Sequence, residues 1–263
     1  MPTGAESIAQ HLPQVRGAGA GDYYIVGSSG HSTSIARPPK TIIAFADNTF
    51  GNSLQSPALQ QALQVQLNAV ETESSHDLAT EGDIERAGAL YLVHDINLII
   101  ERGLLPRLNI PVNQFYCVGQ STSGTSRPDI KFVVNGIPVL ILEYKRTNTL
   151  RESDWTGALV TADRTAQQII NDIPPGVQTA LVDNAGIISK QASKYSSQCG
   201  LIVLCNYQNM IVLDFTPGNT AYNNLTNPVR YLFSSGTHLT HKQLLIAALI
   251  YGMRKAGVMG HDA

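Results

Sequence analysis

The stretch 127–146, RPDIKFVVNGIPVLILEYKR, constrains the fold more than any other part of the chain. Residues 132–134 are apolar and β-prone, and Asn135-Gly136 after them is a strong hairpin signal because both residues tolerate positive φ. Residues 137–142 are almost continuously apolar, which is typical of a central strand covered on both faces. The stretch therefore predicts a hairpin whose second strand lies inside a sheet.

Charged side chains mark one end of this hairpin. Glu143 and Lys145 are two residues apart and project to the same face of the strand, and Asp129 lies at the matching end of the partner strand. Such a cluster beside an apolar sheet is costly unless something compensates for it, and a divalent cation would do so. Carboxylates with water and a phosphate oxygen suit Mg²⁺, which acidifies an attacking water, while the Lys145 ammonium can orient that water or stabilise developing charge.

Asp129, with the proline before it, and Glu143-x-Lys145 resemble the PD-(D/E)XK nuclease superfamily. The wider pattern RPDI…FVVNGIPVLILEYKR is similar to the nuclease domain at the N-terminus of type I restriction enzyme motor subunits. The close similarity covers 127–146, and a looser one extends to roughly Phe215. The resemblance implies an α/β fold with a restriction-endonuclease-like αβββαβ core, in which helices flank a mixed sheet.

By this resemblance the chain is a metal-dependent endonuclease that hydrolyses phosphodiester bonds of nucleic acid, with DNA as the expected polymer. Asp129 and Glu143 would hold Mg²⁺ or Mn²⁺, with the Tyr144 carbonyl as a third ligand. Lys145 would position or activate the water. Two alternatives stay open: a catalytically inactive nuclease-fold module that binds or scaffolds, and a metal-dependent phosphoesterase for small nucleotides.

The register of the hairpin is a structural test of this hypothesis. A strict two-residue loop pairs Asp129 with Leu142, so that Asp129 and Glu143 would point to opposite faces. A three-residue loop or a β-bulge shifts the pairing by one residue and brings them together. We predict this shift, and Pro138 is a plausible place for it because proline cannot donate a ladder hydrogen bond.

A helix is predicted over 80–102, with Thr80 and Asp83 as a capping box. Glu85 lies on its apolar face, and Glu81 lies one turn earlier on the same face. Many members of the superfamily place a glutamate on the helix before the sheet, which makes Glu85 the preferred further catalytic residue and Glu81 the alternative. Both could instead simply favour the dipole at the helix N-terminus.

A helix predicted over 185–198 places Gln191 and Tyr195 on one face, because they are four residues apart. A glutamine-x-x-x-tyrosine motif on the helix after the catalytic strand also occurs in type I restriction nuclease domains, which implies that both side chains orient the substrate. Lys190 beside them and Arg127 at the start of the motif are further substrate-binding candidates. The alternative is an ordinary amphipathic helix.

Charged residues make up only 14% of the chain and the net charge is −2, so phosphate binding requires a local patch or a basic partner. The chain could be one domain of a larger protein or act with a targeting or motor partner. Arg146 and Arg151 could contact a nucleic-acid backbone or be solvated surface.

The cysteines lack paired spacing, which favours free thiols in an intracellular, reducing compartment, and no apolar run is long enough to cross a membrane.

Along the chain we predict a flexible Gly/Ser-rich arm over 1–40 with a short strand at 23–26, a nuclease-like domain over 41–255 and a tail over 256–263. Gly103 is expected to end the helix that begins at Thr80. Further helices are predicted over 56–70, 161–171 and 242–255, and further strands over 41–46, 114–118, 201–205 and 210–215.

Overall fold

The structure is a computed structural model that describes residues 1–18, 21–27, 36–73, 76–119, 128–215 and 229–260. Its α-helices are α1 (Gly4–Ala9), α2 (Thr49–Leu54), α3 (Pro57–Ala62), α4 (Glu81–Gly88), α5 (His94–Ile99), α6 (Leu105–Arg107), α7 (Ser153–Thr156), α8 (Ala166–Asp172), α9 (Asp183–Tyr195) and α10 (His241–Lys255). Its strands are β1 (Ile42–Ala44), β2 (Phe115–Val118), β3 (Ile130–Val134), β4 (Ile137–Tyr144), β5 (Leu159–Val160), β6 (Leu201–Cys205), β7 (Met210–Asp214) and β8 (Val229–Ser234). None of the helices in these ranges combines the length and the apolar character needed to cross a membrane.

The strands form one mixed sheet in the order β2-β3-β4-β6-β7-β8-β1-β5. Strand β4 runs antiparallel to β3 and parallel to β6, and its residues from Val139 to Tyr144 are buried. The prediction that 137–142 is a central strand is therefore confirmed. The predicted α/β class, with helices around a mixed sheet, is confirmed as well.

The elements around β4 follow the predicted αβββαβ order. The helical run 81–107 precedes β2, β3 and β4, and α9 then leads into β6, which pairs parallel with β4. An insertion of α7, β5 and α8 separates β4 from α9, and its strand β5 pairs with β1 at the far edge of the sheet. The order thus brings the ends of β3, β4 and β6 beside α4 and α9.

The turn between β3 and β4 is the tight one that its sequence predicts. Asn135 and Gly136 have φ angles of 51° and 75°, which is the positive-φ pair of a two-residue hairpin loop. Val134 accordingly pairs with Ile137.

The register then slips by one residue. Val133 pairs with Pro138, whereas Phe132 pairs with Leu140. Val139 is therefore the extra residue of a β-bulge, directly after the proline, and the predicted shift is confirmed. The slip carries the aspartate that precedes β3 to the level of the glutamate near the end of β4.

Helix α10 packs directly on this bulge through Gly252. A Cβ atom at residue 252 would lie 2.2 Å from the carbonyl oxygen of Val139, closer than any side chain allows. Glycine therefore lets the helix backbone contact the bulged strand, and the helix supports the register on which the hairpin's charged residues depend.

The start of the chain departs from the predicted flexible arm. Gly4–Ala9 is a helix that begins with a capping box between Thr3 and Glu6, and its Ile8 is buried in the core. Residues 23–26 form no strand in the described structure. They hydrogen-bond instead to the side chain of Asn184 in α9. The difference arises because partners on distant helices fix this segment, and local composition does not reveal such partners.

The helix predicted over 80–102 is longer than expected. Helix α4 continues through a π-helical segment (Ala89–Val93) into α5, and a second π-helical segment (Ile100–Leu104) leads into α6. Gly103 therefore does not end the helix. It lies inside the second π-helical segment and packs against the backbone of Ala62 in α3. The prediction that Gly103 ends the helix is therefore wrong, because this glycine allows close contact between helices.

Most remaining predicted elements are present with shifted ends. The strands predicted over 41–46, 114–118, 201–205 and 210–215 are β1, β2, β6 and β7, and the helices predicted over 161–171, 185–198 and 242–255 are α8, α9 and α10. The helix predicted over 56–70 is only Pro57–Ala62, and the preceding α2 was not predicted.

Candidate metal centre

The ends of β3 and β4 bring Asp129 and Glu143 together. Both residues are buried. Asp129 Oδ2 accepts the N–H of Tyr144 at 2.7 Å, and the Asp129 N–H donates to Glu143 Oε2 at 3.2 Å. These hydrogen bonds hold the two carboxylates opposite each other across the hairpin, in the register that the bulge sets.

Lys145 is 3% exposed, and its ammonium lies among oxygen atoms. Its Nζ donates to the Tyr144 carbonyl at 2.7 Å, to Glu143 Oε1 at 2.9 Å and to Glu81 Oε1 at 3.3 Å. The Lys145 N–H donates to the Cys205 carbonyl at 2.8 Å, which fixes the residue against β6. The ammonium is therefore held at the centre of an oxygen cluster.

Helix α4 contributes a further carboxylate, Glu81 in its first turn. The helix approaches the sheet at Gly88, where a Cβ atom would lie 2.3 Å from the Tyr144 ring. Glu81 and Gly88 are seven residues apart, so they lie on the same face of the helix. One oxygen each from Glu81, Asp129 and Glu143 lie within 4.8 Å of one another.

The structure places Glu81, the alternative, and not Glu85 in this group of carboxylates. Glu85 lies one turn further along α4 and is partly buried. Burial raises its pKa, and the Asp129 and Glu81 carboxylates raise it further, so Glu85 is close enough to feel their charge. Its catalytic role stays a prediction. No signal in the sequence separates Glu81 from Glu85, because both lie on the helix face that carries Gly88.

Gln191 and Tyr195 point from α9 to the same carboxylate. Gln191 Nε2 donates to Glu143 Oε1 at 2.7 Å, and the Tyr195 hydroxyl donates to the same oxygen at 3.2 Å. Gln191 Nε2 also lies 3.0 Å from the Tyr195 hydroxyl oxygen. With Lys145, this single oxygen accepts hydrogen bonds from three side chains. Gln191 and Tyr195 therefore position Glu143, and their spacing in the sequence did not reveal this role.

Burial sets the protonation of the cluster. It raises the pKa of Glu143 to about 7, although the Lys145 ammonium opposes the shift. Burial alone would lower the pKa of Lys145, but the Glu143 and Glu81 carboxylates outweigh it and raise that pKa above its usual value. Burial raises the pKa of Tyr195 most, and the Glu143 carboxylate raises it further. At neutral pH Lys145 is therefore charged, Tyr195 is a donor, and Glu143 titrates.

The described structure does not bring the predicted substrate-binding residues Lys190 and Arg127 into this cluster. Lys190 precedes Gln191 on α9 and is partly exposed at its edge. Arg127 lies outside the described residues. Their roles stay predictions.

Comparisons of the chain with family models and with curated proteins, and of its fold with solved structures, found no match. The chemistry of the site therefore has to be inferred from its own atoms. Three carboxylates converge on one ammonium, next to a backbone carbonyl, which leaves an excess of negative charge among hard oxygen donors. Such a donor set suits a divalent cation such as Mg²⁺ or Mn²⁺.

Proposed function

We propose that the protein is a metal-dependent nuclease that hydrolyses phosphodiester bonds of nucleic acid, with DNA as the expected polymer. The observation that carries the proposal is the cluster of Glu81, Asp129 and Glu143 around the Lys145 ammonium. Two of these carboxylates are buried, and one ammonium cannot balance three of them. A divalent cation and a phosphodiester together would complete the charge balance.

The spacing of the oxygens supports a cation of this size. Around an octahedral Mg²⁺ with bonds of about 2.0–2.1 Å, ligand oxygens lie roughly 3–4 Å apart. The carboxylate oxygens here already lie within 4.8 Å of one another. The Tyr144 carbonyl, which Lys145 contacts at 2.7 Å, is a further oxygen at the same place. Glu81, Asp129, Glu143 and the Tyr144 carbonyl are therefore the groups that would hold the ion.

When bound, the cation would neutralise charge on the phosphodiester and make a water molecule more acidic. The protein's own side chains supply the remaining contributions to the reaction. Asp129, Glu143 and Glu81 hold the site in place through the bonds described above. The Lys145 ammonium stays charged and can donate to the attacking water or to a phosphate oxygen. Gln191 keeps Glu143 oriented from α9.

The test is cleavage of supercoiled plasmid, single-stranded DNA and RNA with Mg²⁺, with Mn²⁺ and with EDTA. Asp129→Asn and Lys145→Met are compared with Asp214→Asn and Lys255→Met, which break a carboxylate–ammonium pair elsewhere in the fold. We expect metal-dependent cleavage that falls about 100-fold or more in the first two variants. The control variants should retain it when all four are folded.

Other outcomes would replace the proposal. If the wild type cleaves no polymer but Mn²⁺ raises its melting temperature through Asp129, the protein is a metal-binding module without hydrolytic activity. Hydrolysis of small nucleotides with intact polymers would identify a phosphoesterase. If metal neither binds nor supports cleavage, the fold acts as a binding or scaffold module.

A further inference from the structure

The segment 21–27 crosses the loop that follows β4 and is fixed there by its backbone. Asn184 Nδ2 donates to the Tyr24 carbonyl at 2.7 Å, and Asn184 Oδ1 accepts the N–H of Val26 at 2.8 Å. The Tyr24 N–H donates to the Asn148 carbonyl at 3.2 Å. Hydrogen bonds on both sides therefore hold the segment, and they set the directions of its side chains.

The two consecutive tyrosines of this segment differ in their surroundings. The Tyr23 hydroxyl donates to Asp154, and the Arg151 guanidinium lies 3.5 Å from the centre of the Tyr23 ring. Tyr23 thus anchors the segment. Tyr24 lies under the Arg146 guanidinium at 4.3 Å and is 42% exposed, so it presents an aromatic surface to solvent.

The residue that stacks on Tyr24 directly follows the proposed metal centre along the chain. Arg146 follows Lys145 directly, so their Cα atoms are about 3.8 Å apart. Among the ion pairs of the described residues, none involves Arg146. An arginine and an exposed aromatic ring are together suited to binding single strands, because bases stack on the ring and phosphates attract the guanidinium.

We propose that Tyr24 and Arg146 form a stacking site for a single-stranded polynucleotide and lead the strand to the metal centre. This inference rests on the proposed nuclease function and adds a substrate class to it. A base of the strand stacks on the exposed Tyr24 ring while Arg146 contacts a neighbouring phosphate. Bases of an intact duplex are stacked inside the helix and cannot reach the ring, so single-stranded or frayed ends are preferred.

Binding is measured by fluorescence anisotropy with the full chain carrying Asp129→Asn, so that the probe is not cut. The probes are a labelled oligothymidylate, an abasic oligomer of the same length, a matched duplex and a single-stranded RNA. We expect Tyr24→Ala to weaken oligothymidylate binding about tenfold and Tyr24→Phe to preserve it. Arg146→Gln should weaken binding of both single-stranded polymers and lower the salt dependence.

The abasic oligomer separates stacking from a structural effect. The parent should bind it about tenfold more weakly than the oligothymidylate, and Tyr24→Ala should bind both alike. Tyr116→Ala is the matched control, because Tyr116 is 45% exposed on the edge strand β2. It should bind as the parent does, and melting temperatures check that each variant is folded.

The inference is overturned if Tyr24→Ala binds oligothymidylate as tightly as the parent, or if duplex binds as tightly as single strand. Its failure is distinguishable from that of the nuclease proposal. If the chain with Asp129 intact cleaves nothing while binding still depends on Tyr24, only the nuclease proposal fails. If cleavage requires Asp129 but binding ignores Tyr24, only the stacking site fails. Binding of RNA in place of DNA would keep the stacking site and identify the polymer.

Discussion

Lys242 and Lys145 are both buried lysines paired with carboxylates, yet the balance of charge around them differs. Lys242 is 6% exposed and donates to Asp95 Oδ2 at 2.7 Å. The Ser7 hydroxyl donates to the same oxygen at 2.5 Å. One ammonium thus meets one carboxylate, and the cluster ties together α1, α5 and α10.

Around Lys145 the charges do not balance. The ammonium contacts Glu143 and Glu81, and Asp129 lies within reach of both carboxylates. A buried pair whose charges balance is explained by its role in holding elements together. An excess of buried negative charge is costly to the fold unless a proton or a cation joins it, and the raised pKa of Glu143 reflects this cost. The comparison therefore separates a structural cluster from one that is suited to binding a ligand.

The largest expected difference is in activity. Lys145→Met should lower kcat for metal-dependent cleavage by about 10²–10⁴, because it removes the group that serves the water or the developing charge. Lys242→Met should leave kcat per folded molecule unchanged. Single-turnover cleavage at saturating Mn²⁺, normalised to folded protein, measures both. Equal losses in the two variants would remove the distinction between the clusters.

The next effect is on stability. Lys242→Met leaves the Asp95 carboxylate buried without its ammonium, which should lower the free energy of unfolding by about 3–5 kcal/mol. The double variant Asp95→Leu/Lys242→Met should recover most of this loss, since no unpaired charge remains. Urea unfolding of the metal-free protein measures it. A double variant as unstable as the single one would show that packing, and not charge pairing, dominates there.

The third prediction concerns competition for the oxygens. Lys145 Nζ contacts Glu143, Glu81 and the Tyr144 carbonyl, which are the oxygens that a cation would use. Lys145→Met should therefore tighten Mn²⁺ binding about tenfold or more, although cleavage is lost. Isothermal titration calorimetry tests this, with Lys255→Met as the control. Weaker binding in Lys145→Met would mean that the ammonium supports the site without competing for it.

A fourth experiment decides between the two glutamates of α4. Glu81→Gln should weaken Mn²⁺ binding about tenfold, whereas Glu85→Gln should change it less than about threefold, because only Glu81 lies in the oxygen cluster. The same titration measures both. The reverse order of effects would restore Glu85 as the ligand that the sequence favoured.

The last and most gradual effect is the dependence on pH. Because burial raises the pKa of Glu143 to about 7, cation binding must release its proton, and affinity should fall about tenfold per pH unit below that value. In the metal-free protein the free energy of unfolding changes with pH in the opposite direction. The raised pKa stabilises the fold at low pH, and this contribution is lost as pH rises from 4.5 through about 7. Melting temperatures with and without Mn²⁺ across this range check both trends, and Glu143→Gln should abolish them.

Local sequence predicted the hairpin and its bulge well. The positive-φ turn, the apolar strand and the proline all act between neighbouring residues, and the requirement that Asp129 and Glu143 share a site fixed the direction of the register shift. The same local information misjudged Gly103, because a glycine that allows helix contact and one that ends a helix look alike in a sequence.

Contacts between distant segments escaped prediction for a different reason. Glu81 joins the cluster because Gly88 lets α4 contact the Tyr144 ring, and Tyr24 lies under Arg146 because Asn184 holds its backbone. Such contacts depend on how whole elements pack, which no spacing within one element specifies.

The sequence by itself determined the central hairpin and the charged residues at its end. These features follow from backbone preferences and apolar patterning that operate over a few residues. Only the tertiary structure decided which glutamate meets the hairpin, and that Gln191 and Tyr195 hold Glu143. It decided these points because close packing selects one arrangement of elements among the many that the same local patterns allow.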